Sequence, residues 1–244
     1  MPRFFVEKEA ISSGEVTVAG DDAYHIARAL RMAVGDRIEV SDCSGTDYVC
    51  ELTYIRDNEC RADILSSAPS GSEPPIEITL YMAYPKGDKL EWVVQKATEL
   101  GVARICPFEA DRVIKRPPKD KMEKTVTRLT RIAHEAAKQS GRSILPTVDP
   151  VLSFSAMCEQ LSGYDLVLFC YEREGGVSLR DVLKKNGSCR RFAVIVGCEG
   201  GFTVGEAESI VKSGGVSVGL GPRILRCETA PEYVLAALSY EFEM

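Results

Sequence analysis

Two glycine-rich segments near the C-terminus hold the residues best suited to chemistry. In Gly197-Cys-Glu-Gly-Gly-Phe-Thr203, the glycines Gly197, Gly200 and Gly201 let the backbone take positive φ and come close to a ligand, presenting amide and carbonyl groups to it. In Leu220-Gly-Pro-Arg-Ile-Leu-Arg-Cys-Glu-Thr-Ala230, the charges of Arg223, Arg226 and Glu228 are ones that no turn requires. A guanidinium favours an anion beside it, and a carboxylate such as Glu199 or Glu228 accepts a proton. The pair therefore suits a ligand site.

Each segment follows an apolar run, Phe192 to Gly197 and Val216 to Leu220. Each also carries Thr and Glu three apart, Thr203 with Glu206 and Thr229 with Glu232, the spacing of a capping box that opens a helix. Strand-to-helix loops at the carboxyl ends of neighbouring strands are where an open α/β sheet binds its ligand. The alternative is a pair of well-capped turns. The motifs GxGxxG and GxxxxGK[ST] are absent, which disfavours dinucleotide dehydrogenases and P-loop nucleotidases.

The elements that must position these loops follow from hydrophobic periodicity. Apolar runs at 76–84, 103–108, 164–171, 192–197 and 215–220 alternate with amphipathic stretches at 88–100, 121–140, 178–185, 204–213 and 230–242. That rhythm predicts an α/β domain, a mostly parallel sheet covered by helices on both faces. Upstream, short alternating segments (3–6, 15–18, 37–40, 48–52 and 60–65) and one helix-like stretch near 22–32 predict a small β-barrel-like module. Ser66 to Pro75, rich in Ser, Pro and Gly, reads as a linker, giving domains 1–70 and 76–244.

The 244 residues carry 30 Lys and Arg against 36 Asp and Glu, a net −6. Between Arg112 and Arg142, however, ten positive residues face three negative ones, a local +7 that leaves −13 for the rest. Arg112, Arg116, Arg128, Arg131 and Arg142 thus mark either a patch for a polyanion or a solvated helix face. Arg3, Arg28, Arg31 and Arg37 of the N-terminal module are expected to extend such a patch. A hydrophobic fraction of 45% with 27% charged residues is that of a globular chain. The apolar runs fall far short of the roughly 18 residues that span a bilayer, so no membrane role is expected. The first residues lack an apolar signal core, and the nine cysteines form no CxxC pair, so a reducing cytoplasm is expected. His25 and His134 lie far from one another and from any cysteine, so no metal is expected.

With these loops in place, the sequence resembles the SPOUT superfamily of S-adenosylmethionine-dependent RNA methyltransferases, and within it the ribosomal RNA small subunit methyltransferase E family. The resemblance runs through Pro2-Arg-Phe-Phe, His25-Ile-Ala-Arg-Ala-Leu-Arg31 and Lys86-Gly-Asp-Lys-Leu-Glu-Trp, then Glu135-Ala-Ala-Lys-Gln-Ser-Gly-Arg142 and the two glycine-rich segments. Two positions depart from the family pattern: Cys198 stands where proline is usual and Cys227 where threonine is usual. A more flexible loop but an intact pocket is expected, since cysteine leaves φ free where proline restricts it.

The resemblance implies a PUA-like RNA-binding β-barrel followed by a methyltransferase domain with a deep C-terminal trefoil knot. It implies three loops around the donor, supplied by Leu168, Phe169 and Cys170 (in the segment to Glu172), by Gly197, Cys198, Gly200 and Gly201, and by Leu220, Ile224, Leu225, Thr229 and Ala230. It also implies a homodimer acting on N3 of a uridine in 16S ribosomal RNA, within the small ribosomal subunit. For that reaction Arg226 would stabilise the uridine anion or orient the base, and Glu199 or Glu228 would take the proton. Alternatively, Glu199 caps backbone amides and Glu228 pairs with Arg223 or Arg226. A non-catalytic ribosome-assembly or RNA-binding factor, or a SPOUT methyltransferase acting on tRNA, are the alternative functions.

Overall fold

A computed structural model describes residues 1–113, 122–171 and 177–244. They group into two compact units, Met1–Glu73 with Ala137–Leu145, and Pro74–Ala136 with Pro146–Met244.

The first unit is built on β1 (Arg3–Phe5), β2 (Ile11–Ser12), β3 (Glu15–Ala19), α1 (Gly20–Tyr24), β4 (Arg37–Ser41), β5 (Thr46–Ile55) and β6 (Glu59–Pro69). The strands form one sheet in the order β1-β4-β5-β6-β3-β2, antiparallel except where β1 runs beside β4. Period-two alternation puts Val16, Val18, Ile38, Val40, Cys50, Leu52, Cys60 and Ala62 inside, each at most 1% exposed. The helix-like stretch of 22–32 is less regular than its pattern predicts: α1 gives way to one π-helical turn, His25–Ala29, and Arg31 takes a φ of 53°.

The Ser/Pro-rich stretch is not a linker along its whole length. Ser66–Pro69 complete β6, opposite Thr46–Val49 of β5. Composition misled because the neighbouring strand β5 supplies the pairing for these exposed residues, and Pro69 sits at the strand end, where proline is tolerated.

The second unit alternates as expected, through β7 (Glu77–Ala83), α2 (Lys89–Glu99), β8 (Arg104–Glu109), α3 (Met122–Ser140, whose last residues belong to the first unit), β9 (Thr147–Val148), β10 (Leu152–Ser153), α4 (Phe154–Gln160), β11 (Leu166–Cys170), β12 (Val177–Ser178), α5 (Leu179–Lys185), β13 (Arg191–Val196), α6 (Val204–Lys212), β14 (Gly215–Gly219) and α7 (Thr229–Glu243). Among the described residues the sheet order is β10-β8-β7-β13-β11-β14-β12, with β9 also on β8, and every pair is parallel.

Because both faces are covered, the central strands are apolar throughout. Ile78, Leu80, Leu168, Phe192 and Val194 pack with α2, α3, α5 and α7, while Tyr81, Phe169, Ala193 and Ile195 pack with α4 and α6. The short α4 carries no clear periodicity. Its start is fixed by Ser153, whose hydroxyl accepts from the Ala156 amide at 3.2 Å. No described helix is long and apolar enough to cross a membrane.

Candidate active site

The carboxyl ends of β11, β13 and β14 open into a cavity of about 550 Å³. Cys170 and Tyr171 line it at the end of β11, Gly197, Cys198, Glu199, Gly201 and Phe202 from the loop after β13, and Ile224, Leu225, Arg226, Cys227 and Ala230 from the loop after β14. Lys89, at the first turn of α2, closes the fourth side.

The loop after β13 is tightly built. The Thr203–Glu206 capping box forms in full: the Thr203 hydroxyl accepts from the Glu206 amide at 3.3 Å, and the Glu206 carboxylate accepts from the Thr203 amide at 2.8 Å. The other Glu206 oxygen accepts from the Asp111 amide at 2.8 Å, so this buried carboxylate also anchors the segment carrying Arg112. Arg112 in turn donates to the Gly200 carbonyl at 3.0 Å, and the Cys198 thiol donates to the Arg112 carbonyl at 3.6 Å.

Packing explains two of the glycines. A Cβ at Gly200 would lie 2.8 Å from Arg112 Cβ, and one at Gly197 would lie 2.9 Å from the Phe202 ring. Gly201 meets no such neighbour; its φ of 63° is what favours glycine.

The loop after β14 is open. Ile224 is 83% exposed, and the Arg226 side chain is 84% exposed, its guanidinium 4.0 Å from Glu228. Thr229 and Glu232 do not form the capping box that their spacing predicts. The residue preceding α7 is Glu228, already helical at φ −79° and ψ −29°, so Thr229 lies inside the helix and caps nothing. Glu232 instead accepts from the Trp92 indole.

The two carboxylates are joined by a cation that sequence reasoning did not single out. Lys89 Nζ lies 2.9 Å from Glu199 Oε1 and 3.2 Å from Glu228 Oε2. Lys89 stood in a segment carrying the family resemblance, but no local spacing relates it to loops more than a hundred residues away.

Burial raises the Glu199 carboxyl pKa, yet the Lys89 hydrogen bond and backbone amides, including that of Lys86, outweigh it and hold the group below the ordinary range. Glu228 is likewise lowered against burial, by a backbone amide, the Cys227 thiol and Lys89. The Lys89 ammonium is raised by Glu199 first and Glu228 second, so all three groups are ionised at neutral pH. Cys227 donates to Glu228 at 3.2 Å, and burial followed by that hydrogen bond pushes its thiol up to about 12. It is therefore a protonated donor, a role that the hydroxyl of threonine also fills.

Of the expected donor-binding residues, Cys170, Gly197, Cys198, Gly201, Ile224, Leu225 and Ala230 line the cavity. Leu168 and Phe169 are fully buried in β11, one on each face of the sheet. Gly200 sits behind the loop against Arg112, Leu220 is half-buried and Thr229 is exposed.

The expected RNA-contacting arginines separate into two sets. Arg3 is held by Glu39 and Asp47, Arg142 is buried against Glu73, and Arg112 is engaged with the glycine loop. Arg28 pairs with Asp57 at 2.7 Å but stays open to solvent, Arg128 pairs with Glu91 at 2.8 Å, and Arg31 and Arg131 are exposed. Arg128, Arg131 and Lys124 line a second, shallower hollow of about 640 Å³ on α3. Arg116 and Glu172 lie outside the described residues.

A parallel α/β domain with a strand-end cavity, in a chain that also carries a small β module, defines the class of RNA methyltransferases with a PUA domain. Residues 72–239 match the RNA methyltransferase domain family and residues 18–65 the RNA methyltransferase PUA domain. Over its full length the chain is 36% identical to the ribosomal RNA small subunit methyltransferase E of Bacillus subtilis (strain 168), covering 98% of that protein. It is 32% identical, over 97% of its length and 77% of the relative's, to the enzyme of the same name from Synechocystis. The chain belongs to the ribosomal RNA small subunit methyltransferase E family. Among solved structures, that of the Neisseria gonorrhoeae ribosomal RNA small subunit methyltransferase E bound to S-adenosyl methionine superposes with a TM-score of 0.85 at 29% identity, over 98% of this chain and 97% of that one.

Proposed function

We propose that the chain transfers a methyl group from S-adenosylmethionine to N3 of a uridine in 16S ribosomal RNA, acting as a homodimer on the small ribosomal subunit in the cytoplasm. The observation that carries this reading is the cavity at the ends of β11, β13 and β14, where glycine backbone, apolar walls and paired carboxylates converge. Its volume falls in the range of small-molecule sites.

The residues present suit the donor. Phe202, Leu225 and Ala230 offer an apolar surface for a nucleoside, and the backbone of 197–201 offers hydrogen bonds. Glu199, in the cavity lining, offers a carboxylate to a sulfonium cation. Bound S-adenosylmethionine supplies an electrophilic methyl group on that sulfonium.

The chain's own contribution is positioning and charge. Arg226, exposed at the cavity rim, favours the deprotonated form of the uridine and orients its base. Glu199 or Glu228, ionised, accepts the N3 proton. The exposed Arg128 and Arg131 on α3, and Arg28 and Arg31 in the first unit, bind backbone phosphates. The deep C-terminal knot belongs to the same reading. It is supported by β14 pairing with the interior strand β11 before the chain returns to pack α7 against β13 and α2.

The deciding experiment incubates the protein with labelled S-adenosylmethionine and assembled 30S subunits, free 16S RNA or tRNA, and then maps the methylated nucleoside. N3-methyluridine in 16S RNA is expected. Label confined to tRNA, or to no RNA at all, overturns the reading.

A further inference from the structure

Arg226 and the two carboxylates come from segments flagged by composition, yet the group that touches most of the site is on α2. The Lys89 ammonium reaches Glu199, on the loop after β13, and Glu228, on the loop after β14. It also approaches the Cys227 thiol, at 3.8 Å. The Arg226 guanidinium also approaches the pair, 4.0 Å from Glu228.

We infer that Lys89 is a positioning residue of the methyl-transfer site: a single ammonium that ties the two cavity loops together through one carboxylate on each. The inference rests on the proposed methyl transfer for its catalytic consequence, but its structural part stands alone.

Three features single Lys89 out from an ordinary surface ion pair. Its side chain is two-thirds shielded, and it contacts two carboxylates that come from different loops. It stands at the first turn of α2, whose core face (Leu90, Val93, Val94 and Ala97) is packed in the apolar core, so its stem starts from a fixed backbone. The third is symmetry of consequence. With Lys89 removed, Glu199 and Glu228 each keep their burial and lose a cation, so both carboxyl pKa values rise, and like charge on two facing loops is no longer bridged.

The test is Lys89→Met beside Lys89→Arg, each read in two ways. Side-chain carboxyl 13C shifts of Glu199 and Glu228, assigned with Glu199→Gln and Glu228→Gln, are titrated in the full-length protein without donor or RNA. Both midpoints are expected to rise in Lys89→Met, by roughly one unit for loss of a close cation, and to stay near wild type in Lys89→Arg. Methyl transfer to the RNA substrate is then followed against pH. In Lys89→Met the acid limb of kcat is expected to move upward by a similar interval and kcat at neutral pH to fall about tenfold or more, an effect of the size given by one displaced catalytic group. Lys89→Arg restores the limb.

Unmoved Glu199 and Glu228 midpoints overturn the inference, whatever the rates. A reduced rate with an unshifted acid limb reduces Lys89 to a structural residue and overturns it too. A wild type that methylates no RNA refutes the proposed function alone, because the carboxyl titration still decides on Lys89.

Discussion

The loops after β13 and β14 carry the same signal in the sequence and are built in opposite ways. Both have glycine, an internal glutamate, and threonine and glutamate three apart. After β13 the threonine is extended, at φ −71° and ψ 164°, and its hydroxyl is free to cap α6. After β14 the chain is already helical one residue before Thr229, and the capping geometry is lost.

The glycine loop is thereby clamped at Glu206, Arg112 and Phe202, while the other loop presents Ile224 and Arg226 to solvent. One wall of the cavity is preformed. The other is held by Lys89 and by the packing of Leu220, Leu225, Cys227 and Ala230. Preorganised backbone suits a small ligand common to every turnover, and an exposed, charged loop suits a larger partner that arrives and leaves.

The largest effect expected from breaking this contrast comes at Gly200. Gly200→Val drives a side chain into Arg112, so donor affinity measured by calorimetry should fall at least a hundredfold, since displaced backbone can no longer offer its hydrogen bonds. Wild-type affinity in this variant would show that the loop is not the donor wall.

Next comes the paired comparison of the two glutamates. Glu206→Ala removes the buried carboxylate that accepts from both the Thr203 and Asp111 amides, which should cost about 2–3 kcal/mol in denaturant unfolding. Glu232→Ala should cost less than about 0.5 kcal/mol, as exposed side-chain contacts do.

Thr203→Ala against Thr229→Ala repeats the test more gently, with about 1 kcal/mol expected for the true cap and close to none for the false one. Equal losses in either pair would mean that the two helix starts are equivalent after all.

The smallest structural effect is expected at Arg226. Arg226→Ala should leave unfolding within about 0.5 kcal/mol of wild type. Methyl transfer should nevertheless drop by one or two orders of magnitude, as for loss of a group that stabilises developing charge.

Charge on α3 was legible in the sequence only as a sum. The +7 window resolved into residues with different fates: Arg112 and Arg142 are spent on internal contacts, whereas Arg128 and Arg131 lie at the surface. A linear count cannot make that distinction, because an arginine's partner is set by chain reversal. Glu73 lies 69 residues from Arg142, and Gly200 lies 88 from Arg112. The same holds for Lys89, whose partners are on loops 110 and 139 positions away.

What the sequence determined by itself was everything that depends on neighbours along the chain. The strand and helix alternation of 76–244, the apolar faces of α3, the cap at Thr203 and the glycine-rich loops all follow from side-chain periodicity and from backbone preferences of single residues. The tertiary structure alone decided which strand lies beside which, and so which loops share a cavity. By placing β14 next to β11 and α2 beside both loop ends, it converted a lysine with no motif of its own into the cation between two carboxylates. It also denied α7 the cap that its spacing promised, because the backbone angle at Glu228 answers to the packing of the loop around it and not to the residue three places on.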